Sequence, residues 1–150
     1  MPNISLSVGH YLLRYINVVV FMKTPMLAAD ALILFRGGIV LIRRKNPPYQ
    51  GFYALPGGFV EVGETVEEAA RREAKEETGL DITLLNLVGV YSKPDRDPRG
   101  HVVSICYLAE GSGMLSAGSD ARSAEVFDPE KLPPLAFDHA QIIRDGLEKL

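Results

Sequence analysis

The sequence has one cysteine in 150 residues, Cys106. No intrachain disulfide can form, which excludes a disulfide scaffold and fits a reducing compartment. A lone cysteine also excludes multi-cysteine zinc sites. Long apolar runs are missing too. Tyr11 to Phe21 is apolar but spans eleven residues and contains Arg14, short of the roughly twenty that a membrane span needs. Residues 1–10 hold no Lys or Arg, and no A-x-A cleavage site follows, so nothing reads as a signal peptide. These absences predict a cytoplasmic protein with no membrane partner. Excess positive charge is absent as well, with 16 Lys and Arg against 19 Asp and Glu, a net charge of −3. Nucleic acid is therefore not an expected partner, because non-specific affinity for it comes from neutralising phosphates with Lys and Arg. There is no internal repeat and no low-complexity tract.

What remains is an ordinary globular composition, 47% apolar and 23% charged, at a length that suggests one domain. Residues 26–150 read as that domain. Residues 1–25 read as an N-terminal extension, either an extra strand or an over-long gene start preceding Met22 or Met26. Ala28 to Phe35 reads as a buried strand, and Ile39 to Ile42 as its hairpin partner across Arg36-Gly37-Gly38. Thr65 to Thr78 reads as a helix, with Thr65 and Glu68 spaced as a capping box and Gly79 suited to end it. A long strand lies within Leu80 to Tyr91, a polar turn-rich loop at Lys93 to Gly100, and another strand at His101 to Leu108. Cys106 falls in that strand's alternating pattern and reads as a core thiol. A flexible loop follows at Gly111 to Ser119, then a short strand at Glu125 to Phe127 and a closing amphipathic helix from Asp138 to Leu150. Strands with two helices make the fold class α/β.

The net charge is not spread out. Glu64 to Glu77 holds six glutamates against Arg71, Arg72 and Lys75, leaving −3, while the rest of the chain balances at 13 acids and 13 bases. Some spacings suit a solvated helix: Glu67 with Arg71 and Glu68 with Arg72 are i,i+4 pairs. The C-terminal half does not. At 100° per residue Glu73, Glu76 and Glu77 share an arc of about 100°. Glu73 and Glu77 are like charges at i,i+4, and Glu76 and Glu77 face the negative end of the helix dipole. A hard divalent cation would remove the conflict. Upstream, Leu55-Pro56-Gly57-Gly58 reads as a turn whose glycines let backbone approach a ligand. Running toward a helix N-terminus, such a loop can also present N–H groups to phosphate. Since Mg²⁺ is commonly held by carboxylates plus substrate phosphates, the pattern points to a phosphate-ester or phosphoanhydride substrate.

From Gly58 to Leu80 the sequence is GFVEVGETVEEAARREAKEETGL. Gly58, Glu64, Arg72, Glu73, Ala74, Glu76, Glu77, Gly79 and Leu80 stand at every fixed position of G-x5-E-x7-R-E-U-x-E-E-x-G-U, so the segment resembles a complete Nudix box. The resemblance implies a Nudix-type α/β/α sandwich around a mixed sheet, with the box as loop–helix–loop. It implies hydrolysis of a nucleoside diphosphate linked to another moiety. By position, Glu73 and Glu77 would be the main metal ligands, joined by the Gly57 carbonyl, with Glu76 a further ligand or water-orienting carboxylate. Glu64 would brace the loop and Arg72 would pair with the carboxylates. The cofactor expected is Mg²⁺, with Mn²⁺ equally compatible with oxygen ligands.

Pro94, 15 residues past Gly79, resembles the ADP-ribose pyrophosphatase subgroup, as do Gly89 to Leu108 and Pro133 to Ile143. The resemblance therefore implies conversion of ADP-ribose to AMP and ribose 5-phosphate. The alternatives are a nucleotide-sanitising triphosphate pyrophosphatase and a non-catalytic ADP-ribose-sensing module. Of Arg43, Arg44 and Lys45, Arg44 is the best candidate for phosphate. Gly58 belongs with it as a backbone contact. Arg96 and Arg99 could contact ribose phosphate, or be paired by Asp95 and Asp97. His101 and His139 read as structural. Glu110, Asp120 and Glu125 are the candidate bases. Relatives carry a glutamate where this chain has Ser123, so the general base stays unassigned. Relatives are often dimers, and the apolar segment 11–21 offers a surface that a second copy could cover.

Overall fold

The computed structural model describes residues 23–118 and 121–150. The proposed extension lies almost wholly outside them. Two helices flank one mixed sheet of seven strands among the described residues. β1 (Met26–Phe35) turns through Gly37, whose φ of 77° suits glycine, into β2 (Gly38–Arg44). β1 runs parallel to β6 (Val102–Ser112), which pairs antiparallel with β5 (Asp81–Tyr91). β2 pairs with β7 (Ala121–Phe127) and with the short β3 (Tyr53–Ala54).

β1 and β2 stay paired only beside their turn, at Leu34↔Ile39 and Phe35↔Gly38. Beyond it β1 takes a different neighbour, β4 (Gly57–Phe59), at Ala28↔Phe59, Ala29↔Gly58 and Asp30↔Gly57. This divergence opens a cleft between β1–β4 and β2–β3. The turn expected at Leu55 to Gly58 is thus corrected: Gly57 and Gly58 are strand residues. Tertiary pairing with β1 draws them into extended backbone that a Leu-Pro-Gly-Gly run does not advertise.

Side-chain alternation sorts β1 onto two cores. Ala31 and Ile33 face α1 (Val66–Thr78), packing with Ala74, Leu80 and Ala109. Ala29 meets Ala69 and Ala70 of the same helix. The small side chains of Ala69, Ala70 and Ala74 let that helix lie close to the sheet. Leu32 faces α2 (His139–Leu147), packing with Cys106, Leu108, Ile142 and Ile143. Gly146 leaves room there for a Leu32 methyl, which an added Cβ would crowd. Cys106 is buried as expected, and burial pushes its thiol well above its ordinary range.

Other boundaries move for long-range reasons. β6 continues to Ser112, into the segment read as a loop, because Asp81 pairs with Ser112. β7 starts at Ala121 rather than Glu125, because β2 templates its whole length. α2 ends at Leu147, and Asp138 stands at its N-cap without a side-chain capping bond. No helix of the described residues is long and apolar enough to cross a membrane.

The capping box on α1 is complete. Thr65 Oγ1 accepts from the Glu68 N–H at 3.1 Å, and Glu68 accepts from the Thr65 N–H at 3.1 Å. Gly79 closes the helix at φ 75°. Losing the cap should cost about 1 kcal/mol, so Thr65→Ala is expected to lower the thermal midpoint by roughly 2–4 °C. Calorimetry checks this, and an unchanged midpoint would show that packing alone fixes the helix start.

Candidate functional site

The cleft has a volume of about 310 Å³. Alternation along β4 decides what faces it. Pro56 O accepts from the Ala31 N–H and the Val60 N–H donates to Leu27 O, both at 2.9 Å. The intervening polar groups of Gly57 and Phe59 therefore turn away from β1. Gly57 N–H donates to Glu77 Oε2 at 2.9 Å, and Phe59 O accepts from Arg72 Nη2 at 3.1 Å.

Close approach requires glycine at position 57, and Gly58 leaves the room that the Glu73 carboxylate occupies. A Cβ on Gly58 would stand 2.5 Å from Glu73 Oε1, and one on Gly57 would overlap the Asp30 carboxylate. The strand thus carries Glu73 on one face and Asp30 on the other. Gly57 and Gly58 contribute backbone to the cleft, as the sequence leads one to expect. They do so from a strand, and the N-terminus of α1 uses its own capping box instead.

The box carboxylates gather around Arg72. Its Nε and Nη2 reach both Glu64 oxygens at 3.0 and 2.6 Å. Its Nη1 reaches Glu73 at 2.9 Å and Glu76 at 3.3 Å. The arginine and the Glu61 N–H hold the Glu64 carboxyl down at about 2. Glu73 moves the other way: burial raises it, against Arg72. The Glu73 side chain is 15% exposed and the Glu76 side chain 47%, so Glu73 points inward with buried Glu77 and Glu76 lies at the rim.

Among the described residues, no three His, Cys, Asp or Glu side chains already converge to hold a metal ion. The donors nevertheless suit one. Glu73, raised by burial, presses on the bare Gly58 backbone, Glu77 sits across Gly57, and every donor is hard oxygen.

Other expected residues divide clearly. Arg44 and Lys45 line the cleft. Arg44 Nε donates to Pro48 O at 2.7 Å, and its guanidinium lies 5.0 Å from the Phe137 ring centre. Arg43 points elsewhere, to Gly51 O. Arg99 lines the cleft too, with Nε and Nη2 on Asp97 at 3.1 and 2.8 Å. Arg96 also lines the cleft but is buried, its side chain 4% exposed, and forks onto Asp138 at 2.8 and 2.6 Å. The Asp138 carboxylate is engaged there rather than in capping α2. His101 contacts Ser92 O. Two candidate bases stand apart: neither Glu110 nor Glu125 lines the cleft, and Glu125 accepts from the Tyr53 hydroxyl. Asp120 lies outside the described residues.

Asp30 is the residue that the sequence reading missed. Its one signal is an isolated acid in the apolar run Ala28–Phe35. It is buried, it lines the cleft, and its Oδ2 has no partner among the described residues. Burial raises it from 3.8 to about 7, against Arg96 and a Ser104 hydrogen bond. Buried His139 accepts the Leu55 N–H at Nδ1, 3.0 Å, and burial lowers it from 6.5 to about 4.

A helix end rich in carboxylates, set across a Gly-Gly strand in a mixed α/β sandwich, defines a class of phosphate-handling fold. Comparison with known proteins gives the family. A model described as the NUDIX domain matches residues 24–146, and the chain belongs to the Nudix hydrolase family. An ADP-ribose pyrophosphatase from Methanocaldococcus jannaschii is 58% identical over 122 residues, covering 81% of this chain and 72% of that protein. A MutT/nudix family protein from Enterococcus faecalis superimposes with a TM-score of 0.81 at 32% identity, covering 94% of this chain and 68% of the other. A bifunctional NMN adenylyltransferase/ADP ribose pyrophosphatase from Francisella tularensis, complexed with AMP and a Mn ion, gives 0.77 at 27% identity. There this chain is covered at 94% and spans about half the other's length, 47%.

Asp30 and His139 make a testable pH signature. Asp30 binds its proton more tightly folded than unfolded, so its contribution to stability is complete below 3.8 and lost as pH rises through about 7. His139 binds its proton less tightly folded, so its contribution is complete above 6.5 and lost as pH falls through about 4. Between those limits the two slopes oppose. Asp30→Asn leaves only the second. The variant's midpoint should exceed the wild type's above pH 7 and fall several degrees further than the wild type's toward pH 4. Thermal denaturation across pH checks this; parallel profiles would contradict it.

Proposed function

We propose that this cleft hydrolyses the diphosphate of ADP-ribose, adding water across the P–O–P link to give AMP and ribose 5-phosphate. The observation that carries the substrate is the 58% identity to an ADP-ribose pyrophosphatase over most of the chain. Glu73, Glu76 and Glu77, with the Gly57 carbonyl, would hold Mg²⁺ or Mn²⁺, which supplies neutralisation of diphosphate charge and a bound water of lowered pKa.

The chain's own groups prepare that site. Arg72 spans Glu64, Glu73 and Glu76, so the acids are fixed in place despite their mutual repulsion. The Gly57 N–H orients Glu77 by donating to its carboxylate. Gly58, bare of a side chain, leaves room for the Glu73 carboxylate against the strand. Arg44 and Lys45 place positive charge on the opposite wall, which suits the anionic substrate.

The test is a substrate panel with Mg²⁺, read by product chromatography. ADP-ribose should give AMP and ribose 5-phosphate. Preferential cleavage of nucleoside triphosphates would replace this reading with nucleotide sanitation. Tight ADP-ribose binding without turnover would replace it with sensing. Glu77→Gln keeps an acceptor for the Gly57 N–H while removing charge. It should cut turnover by at least about 10²-fold with an unchanged thermal midpoint, and full activity in that variant would refute the metal assignment.

A further inference from the structure

The face of β4 opposite Glu73 carries none of the fixed box positions, and its chemistry is different. Phe59 points there, on the side of Gly57 and Asp30. The Arg99 guanidinium lies 5.3 Å from the Phe59 ring centre and 5.7 Å from that of Phe137. The sequence reading offers Arg99 as a phosphate contact. Its hydrogen bonding argues otherwise, because Nε and Nη2 are spent on one carboxylate, Asp97, whose side chain is 3% exposed. That pairing offsets the charge and fixes the plane. What Arg99 offers the cleft is a flat guanidinium face, and its side chain is 44% exposed.

The neighbouring backbone supports a presented surface. Phe137 has φ 52° and Tyr49 has φ 57°, both left-handed conformations that bulky side chains disfavour. The two rings pack on each other at 4.9 Å. Local structure holds both against their preference, and Phe137 is thereby set at the cleft wall. Such strain collects at ligand clamps.

We propose that Arg99, Phe59 and Phe137 form the stacking platform for the nucleobase of the substrate. This rests on the nucleotide reading given above and deepens it. The ligand is a planar aromatic base, adenine for ADP-ribose, lying against the Arg99 plane and the Phe59 ring with Phe137 behind them. Arg99 thus selects by shape and π contact rather than by charge.

The experiment titrates the full chain, with no divalent metal added, with the fluorescent analogue 1,N6-etheno-AMP, whose emission is quenched on stacking. Ribose 5-phosphate, which carries charge but no base, is measured by calorimetry. Arg99→Lys keeps the charge and removes the plane, and Phe59→Leu keeps bulk and removes the ring. Each should weaken etheno-AMP roughly 10-fold and diminish the quench, with ribose 5-phosphate affinity changed less than about twofold. Circular dichroism confirms that both variants fold. The proposal is overturned if Arg99→Lys binds and quenches like wild type. It is also overturned if Arg99→Lys is intact while Arg99→Ala loses both ligands, since Arg99 would then be a phosphate clamp. Wild type that hydrolyses ADP-ribose without quenching etheno-AMP sinks the platform alone. Wild type that neither binds nor cleaves any nucleoside diphosphate sinks the nucleotide reading with it.

Discussion

Arg72 donates from all three of its guanidinium nitrogens, and nearly every part of the site hangs on it. It takes both oxygens of Glu64, one each of Glu73 and Glu76, and the carbonyl of Phe59. Those partners belong to the loop before α1, to the helix itself and to β4. One planar fork therefore ties three consecutive segments into one unit. A lysine could not do this, because its point charge has no fixed fork to span two carboxylates and a carbonyl at once. The fork also answers why a helix tolerates like charges at its C-terminal half. Glu73 and Glu76 share one cation in place of two separate ones.

The second constraint is steric. Gly57 and Gly58 let α1 and β1 press their carboxylates onto β4 from opposite faces. A side chain at Gly57 would meet β1 backbone and separate those layers, and one at Gly58 would displace the Glu73 carboxylate. The two-residue period of a strand then divides the cleft. One face holds the helix acids around Arg72; the other holds Asp30, Arg99 and Phe59, with Phe137 and His139 beyond. A substrate with a diphosphate and a base has two unlike parts, and the strand presents two unlike surfaces.

How much of this was legible follows the range of each interaction. The helix, its caps and the inward arc of Glu73 and Glu77 are written in local spacing, so they read directly from residues 65–79. Glu64 and Arg72 were assigned together by resemblance and do meet. β4 was hidden, because its strand conformation comes from β1, some thirty residues earlier, while its own composition favours a turn. Arg96 could not be separated from Arg99 by sequence, since both sit in one polar loop. Only the distant Asp138 makes Arg96 internal, 42 residues away. Asp30 was hidden for a related reason: a single acid in an apolar strand carries no periodic signal. Its environment of Arg96, Ser104 and Asp138 is assembled wholly by the fold.

The two faces of the cleft also differ in how their charge is balanced. On the helix side Glu64, Glu73 and Glu76 share one cation, Arg72, so acid outnumbers base there. On the other side Arg96 is matched by Asp138 and Arg99 by Asp97. Asp30 is the surplus acid there, and burial favours its neutral form. That face is therefore close to neutral and suits an uncharged ring. The helix face keeps its excess, because a single arginine holds three carboxylates there. Concentrated negative charge on a site meant for an anion is self-defeating unless a cation joins them. The uneven balance between the two faces is thus itself an argument for hard-cation chemistry on one side only.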